Sequence, residues 1–252
     1  MRAPFFSIVT ITKNNLSGLK ETALSVAAQH NAEWSDYEWI VIDGNSQDQT
    51  EDFLKTTNAH WYNSPDDGLY DAMNKGLSHC NGIFIIFMNA GDIFAAPDTL
   101  QTIQNTLSDD LPDFIYGDAL EENKKGDPFY KKSKPYTHIH KGMITHHQAM
   151  LYKRDSIQEL RFNLTYKLAA DYDFTWQFVT DNPVAFYINQ PICLFETGGL
   201  SQRRAKQARI EEYTIRRRRG VSYLSRCLIY ARQYLAHALR RFAPALYWRL
   251  KP

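Results

Sequence analysis

Short apolar, β-branched runs alternate along this chain with segments of helical spacing. Residues 5–12 form the first run, which closes at Lys13-Asn14-Asn15 and gives way to a helical pattern over residues 16–28. Residues 37–42 repeat the strand signature and stop at Asp43-Gly44-Asn45-Ser46, ahead of a helix that starts near residues 49–51. A third strand is expected at residues 60–63. After Ser64-Pro65-Asp66-Asp67-Gly68 a helix is expected through residues 69–77, then a fully apolar strand over 83–88, then a helix over 97–107. Strands alternating with helices predict an α/β fold, a mostly parallel sheet flanked by helices on both faces. From Asp113 onward the pattern loosens into shorter strands at 114–117 and 149–152, around a basic loop at 124–134.

In open sheets of this kind ligands bind beyond the carboxyl ends of the strands, where the loops converge. Those loops hold Thr12 to Asn14, Asp43 to Ser46, Asp66-Asp67 and Asn89-Ala90-Gly91-Asp92. Four successive strand ends thus present polar or acidic groups to one edge. Asp92 ends the most apolar strand and follows Gly91, which permits close backbone approach to a ligand. It reads either as a ligand for a hard cation, which commonly needs only one or two carboxylates beside phosphate and water oxygens, or as a turn residue before the next helix. Asp43 reads either as a hydrogen-bond acceptor for a nucleoside or as an Asx-turn residue. Lys75 either approaches phosphate or is a solvated residue near a helix end. Asp171 and Asp173 stand in a weakly charged stretch, where burial can tune a carboxylate as a general base, or where acids favour a helix N-terminus. His147, beside His146 and Gln148, is open between a structural role and a ligand.

Charge modifies this picture at one end. The net charge is only +1, yet residues 203–252 carry 14 of the 29 basic residues and two of the 28 acidic ones, so an acidic body precedes a basic tail. From Val221 onward Leu224, Leu228, Leu235, Leu239, Phe242 and Leu246 recur at helical spacing among arginines, with Arg216-Arg217-Arg218-Arg219 just before. A basic amphipathic helix suits an anionic membrane surface; packing on the body and a homodimer contact are the alternatives. The arginines and nearby aromatics also raise a nucleic-acid-binding protein, which the acidic body disfavours, so no nucleic acid is expected. A glycosidase using two carboxylates and a nucleotidyltransferase are the rival enzymes. Cys80, Cys193 and Cys227 show no CxxC or other ligand spacing, which fits a reducing compartment. Residues 1–6 carry no signal-peptide pattern and no run reaches ~20 apolar residues, so the expected location is cytoplasmic, peripheral on the inner face of the membrane.

Together these segments resemble glycosyltransferase family 2, the inverting enzymes with the GT-A fold, and more narrowly the bacterial exopolysaccharide and O-antigen transferases similar to that of colanic-acid synthesis. The carriers are residues 7–14, 38–46, 66–76 and 88–92, His147-Gln148 and Gly198-Gly199-Leu200-Ser201. The resemblance implies a catalytic domain over residues 1–202, with a nucleotide-sugar half to about 112 and an acceptor half after it, and a helical segment over 203–252. It implies a nucleotide-sugar donor, a UDP-sugar, held by Thr10, Asn14, Asp43, Asp67, Lys75 and Asn89. Asp92 matches the last acid of the family's metal motif, for Mn²⁺ or Mg²⁺, with His147 as an additional ligand. Asp171 matches the acid of the base motif, with Ala170 where the family has Glu, and Asp173 is the fallback. The acceptor implied is a lipid-linked oligosaccharide.

Overall fold

In the computed structural model, residues 3–29, 36–123, 126–196 and 203–242 are described. The first half alternates β1 (Phe6–Thr12), α1 (Leu16–Ala28), β2 (Tyr37–Asp43), α2 (Thr50–Leu54), β3 (His60–Asn63), α3 (Leu69–His79) and β4 (Phe84–Phe87). The second half adds β5 (Ile93–Phe94), α4 (Thr99–Thr106), β6 (Phe114–Glu121), β7 (Phe129–Lys131), β8 (Met150–Lys153), α5 (Arg154–Ile157), α6 (Ala170–Thr180) and β9 (Ala185–Phe195). Two helices follow, α7 (Ala205–Arg218) and α8 (Tyr223–Phe242).

The strands form one sheet in the order β3-β2-β1-β4-β8-β6-β9-β5, with β7 paired to β6. β1 to β4 are mutually parallel, β8 runs against both β4 and β6, and β9 is parallel to β6. All seven residues of β1 and all four of β4 are buried, as expected of strands covered on both faces. One apolar layer sets Val9, Ile11, Ile40 and Ile42 against Tyr70, Met73 and Leu77 of α3 and Phe174 and Phe178 of α6. The other sets Ile8, Val41 and Ile86 against Leu19 and Val26 of α1 and Leu100 and Ile103 of α4.

This topology fixes which loops meet. The carboxyl ends of β1, β2, β3, β4, β6 and β9 lie at one edge, and the reversed β8 brings its amino end there. The turn over residues 147–149, immediately before β8, therefore faces the loop that leaves β4. Cys80 and Cys193 are buried in the body, and Cys227 is half-buried on α8.

Candidate functional site

The loops after β1 and β2 are tied to each other. Asp43 is fully buried, and its carboxylate accepts from the Ser46 amide at 3.2 Å and from the Ser46 hydroxyl. Ser46 Oγ in turn accepts from the Asn14 amide at 2.8 Å, while Asn14 Oδ1 accepts from the Gln47 amide at 2.7 Å. Asp43 thus makes the Asx-type turn and Asn14 clamps it from the neighbouring loop; Asn14 adopts φ 51° to do so. A side chain at Gly44 would collide with Asp66, its Cβ falling 2.1 Å from Asp66 Oδ2, so the β2 and β3 loops also touch.

Thr10 is placed otherwise than the resemblance implies. It is fully buried within β1 and its hydroxyl accepts from Trp39 Nε1 at 2.9 Å, a bond that ties β1 to β2. Thr12, two residues on and at the strand end, is buried with its hydroxyl unpartnered among the described residues. Asp67 is exposed, while Lys75 is committed to Asp71 at 2.8 Å and to the Pro65 carbonyl at 2.6 Å. Lys75 therefore braces the 65–68 loop from α3. A pocket lined by Asp67, Tyr70, Asp71, Tyr166, Lys167 and Arg204 opens beside that loop.

The loop after β4 is held from α1. Asn15 Nδ2 donates to the Ala90 carbonyl at 3.1 Å, and Thr22 Oγ1 accepts from the Gly91 amide at 3.0 Å and lies 2.8 Å from the Asp92 carbonyl. Gly91 has φ 106°, and a Cβ there would fall 2.2 Å from Glu196 Oε2, so glycine is required between Ala90 and Asp92. Asp92 itself is 5% exposed. Its carboxylate accepts from Gln148 Nε2 and from the Glu196 amide at 3.2 Å. Burial pushes it up to about 6, with His147 and these hydrogen bonds pulling the other way.

His147 joins this loop to the second half. Its Nε2 lies 3.1 Å from Asn89 Nδ2, and its Nδ1 lies 3.6 Å from Asp171 Oδ2. With the amide so oriented Nε2 accepts, which places the ring proton on Nδ1, toward the carboxylate. Nε2 is thus engaged with Asn89 while Nδ1 only approaches Asp171, and His147 links the two loops. Asp171, the second residue of α6, accepts on Oδ1 from the Tyr70 hydroxyl and from the Tyr172 amide, each at 2.9 Å. Burial, followed by the Asp171 charge, raises the Tyr70 phenol well above its usual range, so it stays a donor. Asp173 points elsewhere, paired with Arg219 at 2.9 Å, and is not available as the fallback base.

Asn89, Asp92, His147 and Asp171 thus come together, whereas Thr10, Lys75 and Asp173 serve the scaffold. Sequence reasoning gave no role to Tyr70, Gln148 or Glu196, although His147-Gln148 was itself a signal. The 198–201 motif lies outside the described residues. Beside His147, His146 stacks on Phe195 with ring centroids 4.1 Å apart and meets Glu121 at 3.2 Å and Lys131 at 3.1 Å; burial, with Lys131 adding to it, pushes the imidazole down to about 4.

The basic segment is divided. Arg216 is fully buried and Arg219 is paired with Asp173, so the four-arginine run is not a free basic patch. On α8, by contrast, Tyr223, Leu224, Leu228, Tyr234, Leu235 and Phe242 are exposed. No described helix is long and apolar enough to cross a membrane.

The family description "Glycosyl transferase family 2" matches residues 7–171. An uncharacterised glycosyltransferase of Mycobacterium tuberculosis is 30% identical over 218 residues, covering 82% of this chain and 80% of the relative. A PGL/p-HBAD biosynthesis glycosyltransferase of Mycobacterium bovis is 30% identical, with 80% of each covered. Among solved structures, S. aureus TarS 1-349 in complex with UDP-GlcNAc superposes with TM-score 0.66 at 18% identity, over 83% of this chain and 64% of that one. The mannosyltransferase PcManGT of Pyrobaculum calidifontis, in complex with GDP-Man and Mn²⁺, gives TM-score 0.66 at 17% identity, over 94% of this chain and 71% of that one.

Proposed function

The chain belongs to glycosyltransferase family 2, and from that premise we propose that it moves a hexosyl group from a nucleoside-diphosphate sugar, a UDP-sugar first among them, to a hydroxyl of a lipid-linked saccharide, with inversion, in bacterial surface-polysaccharide synthesis. The observation that carries this reading is the single imidazole of His147 between Asn89, in the donor loop, and Asp171, so that the donor site and the base stand side by side. Asp171 accepts the proton of the attacking hydroxyl. Tyr70 and the Tyr172 amide hold Oδ1, and Oδ2, which His147 Nδ1 approaches only to 3.6 Å, takes that proton. A single displacement from the face opposite the departing diphosphate inverts the anomeric carbon.

The residues around Asp92 fit a hard divalent cation. Among the described residues no group of three His, Cys, Asp or Glu side chains gathers as a metal cage, but Asn89 Oδ1 and Gln148 Oε1 are buried without partners close to a buried carboxylate. A hard cation takes such oxygens and completes its shell with diphosphate and water. When bound, Mn²⁺ or Mg²⁺ offsets charge on the leaving diphosphate. The mycobacterial relatives' role in PGL/p-HBAD biosynthesis and the exposed apolar face of α8 support a lipid-linked acceptor and a peripheral, cytoplasmic-face location.

The test is nucleoside diphosphate release from a panel of nucleotide sugars with Mn²⁺ and a polyprenyl-linked acceptor. Wild type should turn over at least one donor. Asp92→Asn and Asp171→Asn should each lose transfer while remaining folded, and wild-type turnover in either variant removes that residue from its role.

A further inference from the structure

The basic C-terminal helix grips the helix that carries Asp171. Glu211 of α7 accepts from the peptide N–H of Leu168 at 2.8 Å and of Ala169 at 3.1 Å, just ahead of the first turn of α6. Arg216 lies over the ring of Tyr172, 5.3 Å from its centroid, and is paired at 2.7 Å with Glu212, which also accepts from Gln233 of α8 at 2.6 Å. Arg218 donates to the Tyr166 hydroxyl at 2.9 Å. Arg219 pairs with Asp173. Four residues of one segment therefore contact residues 166–173 from outside.

The need for this grip is written in α6 itself. The first amides of a helix have no intrahelical acceptor, and a Ser, Thr, Asp or Asn at the cap position commonly supplies one. Here the cap position is Ala169, which has no side-chain acceptor. The third helical residue, where a Glu would reach back to the cap amide in a capping box, is Tyr172. Glu211 makes that bond from another helix and sets a negative charge at the positive end of the α6 dipole. Asp171 lies in the turn so capped, and the direction of its carboxylate follows from whether that turn is formed.

We propose that Glu211 is a positioning residue for the base, acting as the missing N-terminal cap of α6. This rests on the assignment of Asp171 as base. It gives the C-terminal segment a structural part in holding the base, beside the membrane contact proposed for α8.

The experiment uses the full chain with Glu211→Ala and Glu211→Gln, scoring kcat, donor KM and melting temperature. Glutamine keeps an oxygen that can accept from both amides. Glu211→Ala should lower kcat at least tenfold with donor KM unchanged within twofold, because Glu211 bonds only the Leu168 and Ala169 amides and none of the loops after β1, β2 and β4, and Glu211→Gln should stay within about threefold of wild type. Wild-type kcat in Glu211→Ala overturns the proposal. So does a parallel loss of kcat and donor affinity in both variants, which marks general loosening. Asp171→Asn separates the two layers: full turnover there defeats the base assignment, whereas an inactive Asp171→Asn beside an unaffected Glu211→Ala defeats the positioning role alone.

Discussion

Replacing Asp92 by asparagine should abolish transfer and yet stabilise the metal-free protein at neutral pH. The carboxyl rises from 3.8 to about 6 on folding, through burial. Between those values the native state binds a proton that the unfolded chain has released, so stability is full below about pH 4 and declines as pH rises through 6. At 1.36 kcal/mol per unit, the ionised group costs the apo fold roughly 3 kcal/mol at pH 7.5, and asparagine avoids that cost. For a chain of this length that is about 6–12 °C in melting temperature. His146 acts with the opposite sign. Its fall from 6.5 to about 4 removes stability as pH drops through that window, so the two groups offset each other in wild type, and the difference between variant and wild type isolates Asp92. The assay is thermal unfolding in chelator from pH 4.5 to 8, read as the difference between Asp92→Asn and wild type. That difference should grow with pH and should vanish or reverse when Mn²⁺ and nucleoside diphosphate are added, since only wild type gains from binding. A difference constant across this range would refute the reasoning.

Two further outcomes are expected. Tyr70→Phe removes the hydroxyl that donates to Asp171; a hydrogen bond to a charged group contributes about 1.5–3 kcal/mol, so kcat should fall about 10- to 100-fold with donor KM little changed, checked by steady-state kinetics, and an unaltered kcat denies Tyr70 its part. Leu228→Glu with Leu235→Glu, both on the exposed side of α8, should shift the protein into the supernatant when it is centrifuged with phosphatidylglycerol vesicles; unchanged co-sedimentation rejects α8 as the contact. Point substitutions suit this question better than deletion of residues 203–252, which would also remove Glu211 and Arg216.

The first half of the chain was legible because its elements are local and complete. The helical spacing over residues 16–28 matches α1 (Leu16–Ala28), and the run at 60–63 matches β3. β9 was not legible: Asn189-Gln190-Pro191 breaks its alternation, and the strand accommodates them through register shifts against β6. Within the site, acids at strand ends showed which loops would carry chemistry, but not which partners they would meet. Thr10 was assigned by motif position, and only the fold shows that Trp39, 29 residues away, takes its hydroxyl. The same holds for Asp173, claimed by Arg219 across 46 residues. Neither hydrophobic period nor local propensity encodes such pairings; the packing of α6 and α7 against the sheet creates them.

The distribution of the three thiols has a practical consequence. Cys80 is pushed up to about 12 and Cys193 well above its usual range, both by burial, so neither forms thiolate near neutral pH, and thiolate is the species that alkylates. Cys227 sits half-buried on α8. A maleimide fluorophore should therefore attach at one native position without cysteine engineering, and its emission would follow the polarity around α8 as donor, acceptor or lipid is added.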